Sequence, residues 1–241
     1  MAACCEYRSE QNEQADRQTV MMSEADCRLA YAALARQQAM LSSVHLVQLH
    51  DCLLGPRGLF ALLVRELEEM GRLAPLLEDV AALANRELRT QADKALCFVM
   101  GHHRWRNVSP NPFRAMSRER LCCLVYDDTA GYTLIERYAA LLTLRQLDSQ
   151  FFTRLIDTTR KSVERRVVFQ GLLEHHDALL PVERCVYPDN YRASQQQHLE
   201  RELQLYGDLT LSQPLSVMVA RYSTATLLKK LGVRQTPRVR P

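Results

Sequence analysis

Apolar residues recur through most of this chain at intervals of three and four, the period of an α-helix with one buried face. Ser23 precedes the first such run as a capping residue, with Asp26 three positions on and Leu29, Ala33, Leu34 and Met40 following. Ser42 and Ser43 restart the pattern through "VHLVQLHDCLL", and "GPRG" at 55–58 stops it. Leu59, Leu62, Leu63, Leu67 and Met70 then form one stripe, with Gly71 placed as a C-terminal stop. Pro75 suits the first turn of another helix, whose period continues through Leu76, Leu77, Val80, Leu83, Ala84 and Leu88. The two prolines of "NVSPNPF", 107–113, forbid a continuous helix there.

Beyond that loop, Ser117 caps "RERLCCLVY", "DDTAG" interrupts, and "YTLIERYAALLTLRQL" reads as a long helix. Helical spacing resumes from Phe151 to Leu180. "PVERCVYPDNY" is a connection. "SQQQHLERELQLYG" and "PLSVMVARYSTATLLKKLG" supply the last two helices, with Gly207 and Gly232 at their ends. Only "LCCLVYD" has the β-branched and aromatic content of a short strand. The pattern therefore predicts an all-α chain: a single multi-helix globular domain of about nine helices over 23–233. A flexible acidic tail is expected over 1–22 and a basic tail over 234–241.

Composition agrees. The chain has 241 residues, 47% hydrophobic and 24% charged, with only 8 glycines. Net charge is +3, but acids outnumber bases by three in the first thirty residues, whereas the last twenty-one hold six bases and no acid. That asymmetry points to an acidic partner surface or a polyanion, against the plainer reading of a solvated tail. The polar, acidic first residues do not read as a secretory leader, and no apolar run reaches the roughly 18–20 residues that span a membrane. The eight cysteines are then expected to be mostly small buried hydrophobes of a reducing compartment, cytosol or nucleus.

The densest candidate chemistry is "DKALCFVMGHHRWRN", 93–107. A zinc site of Cys97, His102 or His103, Cys122 and Cys123 matches no standard ligand spacing, and adjacent cysteines poorly share one ion. No metal or cofactor is expected. His175 and His176 diverge by about 100° on a helix and, like His45 and His50, read as solvated. No phosphate-binding glycine loop, nucleophile elbow or dinucleotide fingerprint occurs, so no catalytic residue is expected. Arg104, Trp105 and Arg106 fit a protein-binding anchor, since tryptophan and arginine are favoured there, and equally a plain structural role in which Trp105 covers the end of the bundle and the arginines are solvated. In that reading the helix through Cys97 buries Leu96, Val99 and Met100 and delivers Trp105 to the surface. Nucleic-acid contact, with Arg114, Arg118 and Arg120 added, is secondary.

The run "HLVQLHDCLLGPRGLFALLVRELEEMGRL", followed by "DKALCFVMGHHRWRN", resembles a family of beta- and gammaherpesvirus regulators of late gene expression. The resemblance spans roughly residues 44 to 145. It implies a non-enzymatic adaptor of a viral late-transcription pre-initiation complex. The implied partners are other viral late regulators and the host RNA polymerase II machinery, in the host nucleus and secondarily the cytoplasm. It marks Asp93, Trp105 and Arg106 for testing. The 27 arginines against 4 lysines depart from lysine-rich relatives. An alternative likeness, of "LFALLVRELEEMGRLAPLLEDVAALANREL" to the death-effector fold, implies a cytoplasmic scaffold or anti-apoptotic interaction protein. The helical pattern runs well past the six helices of that bundle.

Overall fold

The computed structural model describes residues 23–104, 109–161 and 165–232. The expected tails over 1–22 and 234–241 lie outside these. Every regular element among the described residues is helical. In chain order they are α1 (Glu24–Ala39), α2 (Ser43–Leu54), α3 (Leu59–Met70), two 3₁₀ turns (Gly71–Leu73 and Pro75–Leu77), α4 (Glu78–Ala82) and α5 (Arg86–Arg104). Then follow α6 (Arg118–Tyr126), α7 (Leu134–Lys161), α8 (Arg165–Asp177), α9 (Pro181–Arg184), α10 (Tyr191–Tyr206), α11 (Leu215–Arg221) and α12 (Thr224–Lys230). The chain packs as two compact units, one up to Gln146 and one from Leu147, and the division falls within α7.

The all-α expectation holds, and "LCCLVYD" is helical. The differences lie in where helices stop. The pattern carried one helix through Leu83 to Leu88, but the chain leaves the helix after Ala82. The Asn85 side chain then accepts from the Glu87 amide at 2.8 Å and starts α5. The last apolar run is two helices, because the Ser223 hydroxyl caps α12 on the Thr226 amide at 3.4 Å. In "PVERCVYPDNY", Glu183 accepts from the Leu180 amide at 2.8 Å and closes the single turn of α9. These extra, short helices account for the excess over nine.

In the first unit, α1 packs on α6 and α2 on α3. The core is built from Phe60, Leu63 and Leu67 of α3, Ala92, Leu96 and Val99 of α5, Leu121 and Leu124 of α6, and Ile135 and Leu141 of α7. The start of α7 is buried and fully bonded. Glu136 Oε2 accepts from the Thr133 hydroxyl at 2.6 Å and the Thr133 amide at 3.0 Å. Asp79 Oδ2, from α4, accepts from the Leu134 amide at 2.6 Å. Three donors at a helix N-terminus thus meet carboxylates, the sign its dipole favours. The proline loop is tied down where Asn111 Nδ2 donates to Thr143 Oγ1 at 3.0 Å.

In the second unit, α8 packs on α10 and α11. Leu155, Val167, Leu215, Met218, Leu227, Leu228 and Leu231 make its core, with Phe151, Phe152 and Tyr222 packed on it. Gly207 ends α10 at φ 79°, a left-handed conformation that only glycine adopts without cost. The buried Arg166 completes that end: its guanidinium donates to Tyr206 O at 2.8 Å and Gly207 O at 2.6 Å. Glu174 of α8 accepts from the Ser216 amide at 3.2 Å, at the start of α11.

Tyr206 and Gly207 are exposed, so losing the Arg166 donor costs about 1 kcal/mol, the net worth of a hydrogen bond and not the penalty of a buried orphan. Arg166→Met, which keeps the aliphatic stem, is therefore expected to lower unfolding free energy by about that much. The check is urea denaturation. A change of only a few tenths of a kcal/mol would mean that water satisfies Tyr206 and Gly207 unaided.

Candidate protein-docking surface

Asp93, Cys97 and Met100 follow one another along a single stripe of α5, four and three residues apart, and the register places position 104 on the same stripe. The stripe borders the buried face, on which Ala92, Ala95, Leu96 and Val99 are core residues. The expectation that Leu96 and Val99 are buried holds. Met100 is only half-buried, because it falls on the stripe that borders the core face.

Across from this stripe lies the turn that follows α3. Arg72 Nη1 sits 3.3 Å from Asp93 Oδ1, and Arg72 Nη2 donates to Cys97 Sγ at 3.0 Å. The methyl of Met100 lies near Gly71. The two residues bracketing Gly71 and Arg72 are apolar and exposed, Met70 at 48% and Leu73 at 81%. A leucine held that far into solvent beside an ion pair, with half-buried sulfur side chains next to it, is an apolar spot rimmed by charge. That is the usual anatomy of a protein-binding patch.

Of the residues expected to bind a partner, the structure places Asp93 on this surface and the end of α5, Arg104, in line with it. Trp105 and Arg106 lie outside the described residues. Sequence reasoning missed Arg72, Leu73 and Met70. Leu73 continues the apolar spacing of α3 but stands beyond the Gly71 stop, and an apolar residue placed past a glycine stop was the available signal.

The other candidate chemistry resolves into packing. Among the described residues, no group of three or more His, Cys, Asp or Glu side chains is arranged to hold a metal ion. Cys122 is buried and accepts from Arg118 Nη1 at 3.3 Å. Burial, reinforced by Asp127, Cys27 and Glu119, pushes the Cys123 thiol up to about 12. A thiol held protonated is neither a ready ligand nor a nucleophile. The same burial raises the Tyr132 phenol against the opposing pull of Arg120.

The reading of His175 and His176 as solvated is corrected. Their side chains are only 10% and 12% exposed. The two rings do diverge, but each meets a different aromatic neighbour. His175 stacks on Phe151 and meets the edge of Phe152, with centroids 5.9 and 4.7 Å away. His176 lies against Tyr187 and Tyr191, at 5.5 and 5.3 Å. The next residue, Asp177, takes both guanidinium bonds of Arg192, at 2.8 and 2.9 Å. That pair, helped by His176, holds the Asp177 carboxyl below its ordinary range.

Two outcomes follow from these environments. In the folded protein at pH 8, iodoacetamide is expected to modify the exposed Cys52 and to leave Cys123 untouched, as peptide mass mapping would read. Rapid labelling of Cys123 would contradict its burial. For Asp177, a depressed carboxyl contributes stability that is fully present above the unfolded value of about 3.9 and is lost as pH falls through the folded value. The melting temperature of Arg192→Ala should therefore lie below that of the parent at pH 7, and the gap should close on acidification below pH 4. A gap independent of pH would exclude the ion pair as its cause.

Comparison of the chain with protein-family models, with curated proteins and with solved structures finds no match.

Proposed function

We propose that this protein is a non-enzymatic adaptor that works through protein–protein contacts, as a subunit of a viral complex driving late gene transcription in the host nucleus. The viral assignment rests on the resemblance of residues 44 to 145 to the beta- and gammaherpesvirus late regulators. Its partners in this reading are the other late regulators and the host RNA polymerase II machinery, with direct nucleic-acid contact secondary.

One observation carries the adaptor reading: Leu73 and Met70 stand exposed beside the Arg72–Asp93 ion pair, in line with the helix end that leads into Arg104, Trp105 and Arg106. Burying a leucine fully is worth roughly 1.5–3 kcal/mol, and a partner that covers Leu73 gains much of it. An arginine held by its own aspartate presents the remaining donors of a fixed fork to a partner's carbonyls or carboxylates.

The test is reconstitution with the purified late regulators of the same virus. Leu73→Asp with Met70→Ser is expected to weaken recovery of the bound regulator at least thirtyfold, about 2 kcal/mol, because an anchor is lost and a charge is buried. Trp105→Ala with Arg106→Ala should do the same if that segment is the second half of one anchor. Circular dichroism must remain helical in both variants. Undiminished recovery by folded Leu73→Asp, Met70→Ser protein would remove this surface as the adaptor site. Loss of only a salt-sensitive DNA association would install the nucleic-acid reading instead.

A further inference from the structure

A second surface stands apart from that one. Helix α2, "SVHLVQLHDCLL", is apolar at seven of its twelve positions, yet none of its residues is buried. Leu46, Leu53 and Leu54 are half-buried on the side that meets the rest of the unit. Val44 at 64%, Val47 at 42% and Leu49 at 49% are exposed, and Met40 at 87% and Leu41 extend the patch along the incoming turn. Isolated exposed apolar residues are ordinary. Val44 and Val47 share one face of α2, with Met40 and Leu41 on its lead-in, and together they make an apolar patch of the kind that marks an association surface, while Leu49 lies on the other side of the helix.

We infer that α2 is a self-association surface, on which two copies of the chain pair their Ser43–Leu54 helices antiparallel about a two-fold axis between Val47 and Gln48. The charge distribution selects the occupant. The first turn of α2 contains no acid and its last turn no base. Its one carboxylate, Asp51, instead sits in the last turn, 66% exposed, at the negative end of its own helix. His50 Nδ1 lies 3.3 Å from it, and His45 at the other end is bonded to the capping Ser42. In an antiparallel pair centred between Val47 and Gln48, Asp51 of each copy comes level with Val44 of the second copy. That is the first turn, where the helix is positive and no acid answers it. One symmetry operation brings each Asp51 to the acid-free first turn of the other copy and covers Val44 and Val47 at once. This is the self-complementarity that a two-fold interface requires.

The position of α2 is fixed from the far end. The Asp51 carbonyl accepts from the Gly55 amide at 3.0 Å and lies 2.5 and 2.7 Å from where side chains at 55 and 58 would begin. Only glycine at both positions allows α2 to end there. A single helix pair is a small interface, at or below the low end of the specific range, so the dimer is expected to be weak and concentration-dependent.

The experiment uses the full chain in sedimentation and cross-linking. The parent should shift from one-chain to two-chain mass as its concentration rises. Val44→Glu with Val47→Glu, both at exposed positions, should return it to one-chain mass with an unchanged helical spectrum. Asp51→Asn should weaken the dimer about three- to thirtyfold, since two carboxylate–dipole contacts are lost per dimer. In a Cys52→Ser background, Gln48→Cys should form a disulfide joining the two substituted positions, because residue 48 lies beside the axis. A one-chain mass at every concentration overturns the inference, as does a dimer indifferent to Val44→Glu, Val47→Glu. A dimer that needs Val44 and Val47 but gives no Gln48→Cys cross-link and ignores Asp51→Asn overturns the antiparallel pairing. Binding of late regulators through Met70 and Leu73 is measured separately, so failure here leaves the adaptor reading standing, and the reverse also holds.

Discussion

The fold rests on how its helices end. An α-helix leaves its last four carbonyls without partners, and a left-handed glycine is the common remedy. A chain with only 8 glycines and a dozen described helices cannot supply that remedy everywhere. Arginine takes the task instead. Arg89 Nη2 donates to Leu83 O at 2.6 Å beyond α4, and Arg137 donates to Val125 O at 2.9 Å near the end of α6. Arg154 reaches Ala220 O at 2.9 Å near the end of α11, and Arg166 reaches two carbonyls at the end of α10. Each pairing also brings positive charge to the negative end of a helix. Arg137 accepts a cost for it: burial lowers its pKa against the pull of Asp128 and Asp127. Lysine carries a single point of donation on a more flexible stem and would bridge two carbonyls less well. The ratio of 27 arginines to 4 lysines thus has a structural use, whatever the base composition of the gene contributes.

This division of labour explains which parts of the fold were legible in the sequence. Several helix starts are local. Ser23, Ser42 and Ser117 each cap the amide three residues on, within the reach of any sequence reading. Several ends are not local. Arg166 caps a helix forty residues further along, and the carboxylate at the start of α7 comes from Asp79, fifty-five residues earlier. The apolar period runs unbroken across the stop after Ala82 in "LEDVAALANREL", and Asn85, a capping residue, is the one local mark of it. What ends α4 there is the Arg89 guanidinium folding back on Ala81 and Leu83, together with the Asn85 cap. Periodicity located the helices, and long-range polar contacts decided their boundaries.

The candidate site was legible to a similar depth. The sequence isolated the α5 stripe through Asp93 because unusual residue types cluster there. It gave no notice that Arg72, twenty-one residues earlier, would close on Asp93 and hold Leu73 outward. The histidine pair failed in the other direction. Its spacing correctly predicted divergence, but the sequence did not reveal that both directions lead into aromatic packing.

Helix α2 shows what such reasoning leaves over. Its apolar positions run right round the helix, where those of α3 gather on one stripe. Helix α3 buries Phe60, Leu63 and Leu67, and α2 buries nothing. The difference is not one of hydrophobicity. It lies in how the apolar residues are spread, on one stripe of α3 but around α2, and in a carboxylate placed at the wrong end for a solitary helix. A misplaced charge is weak evidence by itself, worth at most about 1 kcal/mol. Coupled to an uncovered apolar face on the same helix, it carries a direction. The chain spends apolar residues on a surface that contributes nothing to its own core, and gives that surface a polarity that an inverted copy would satisfy.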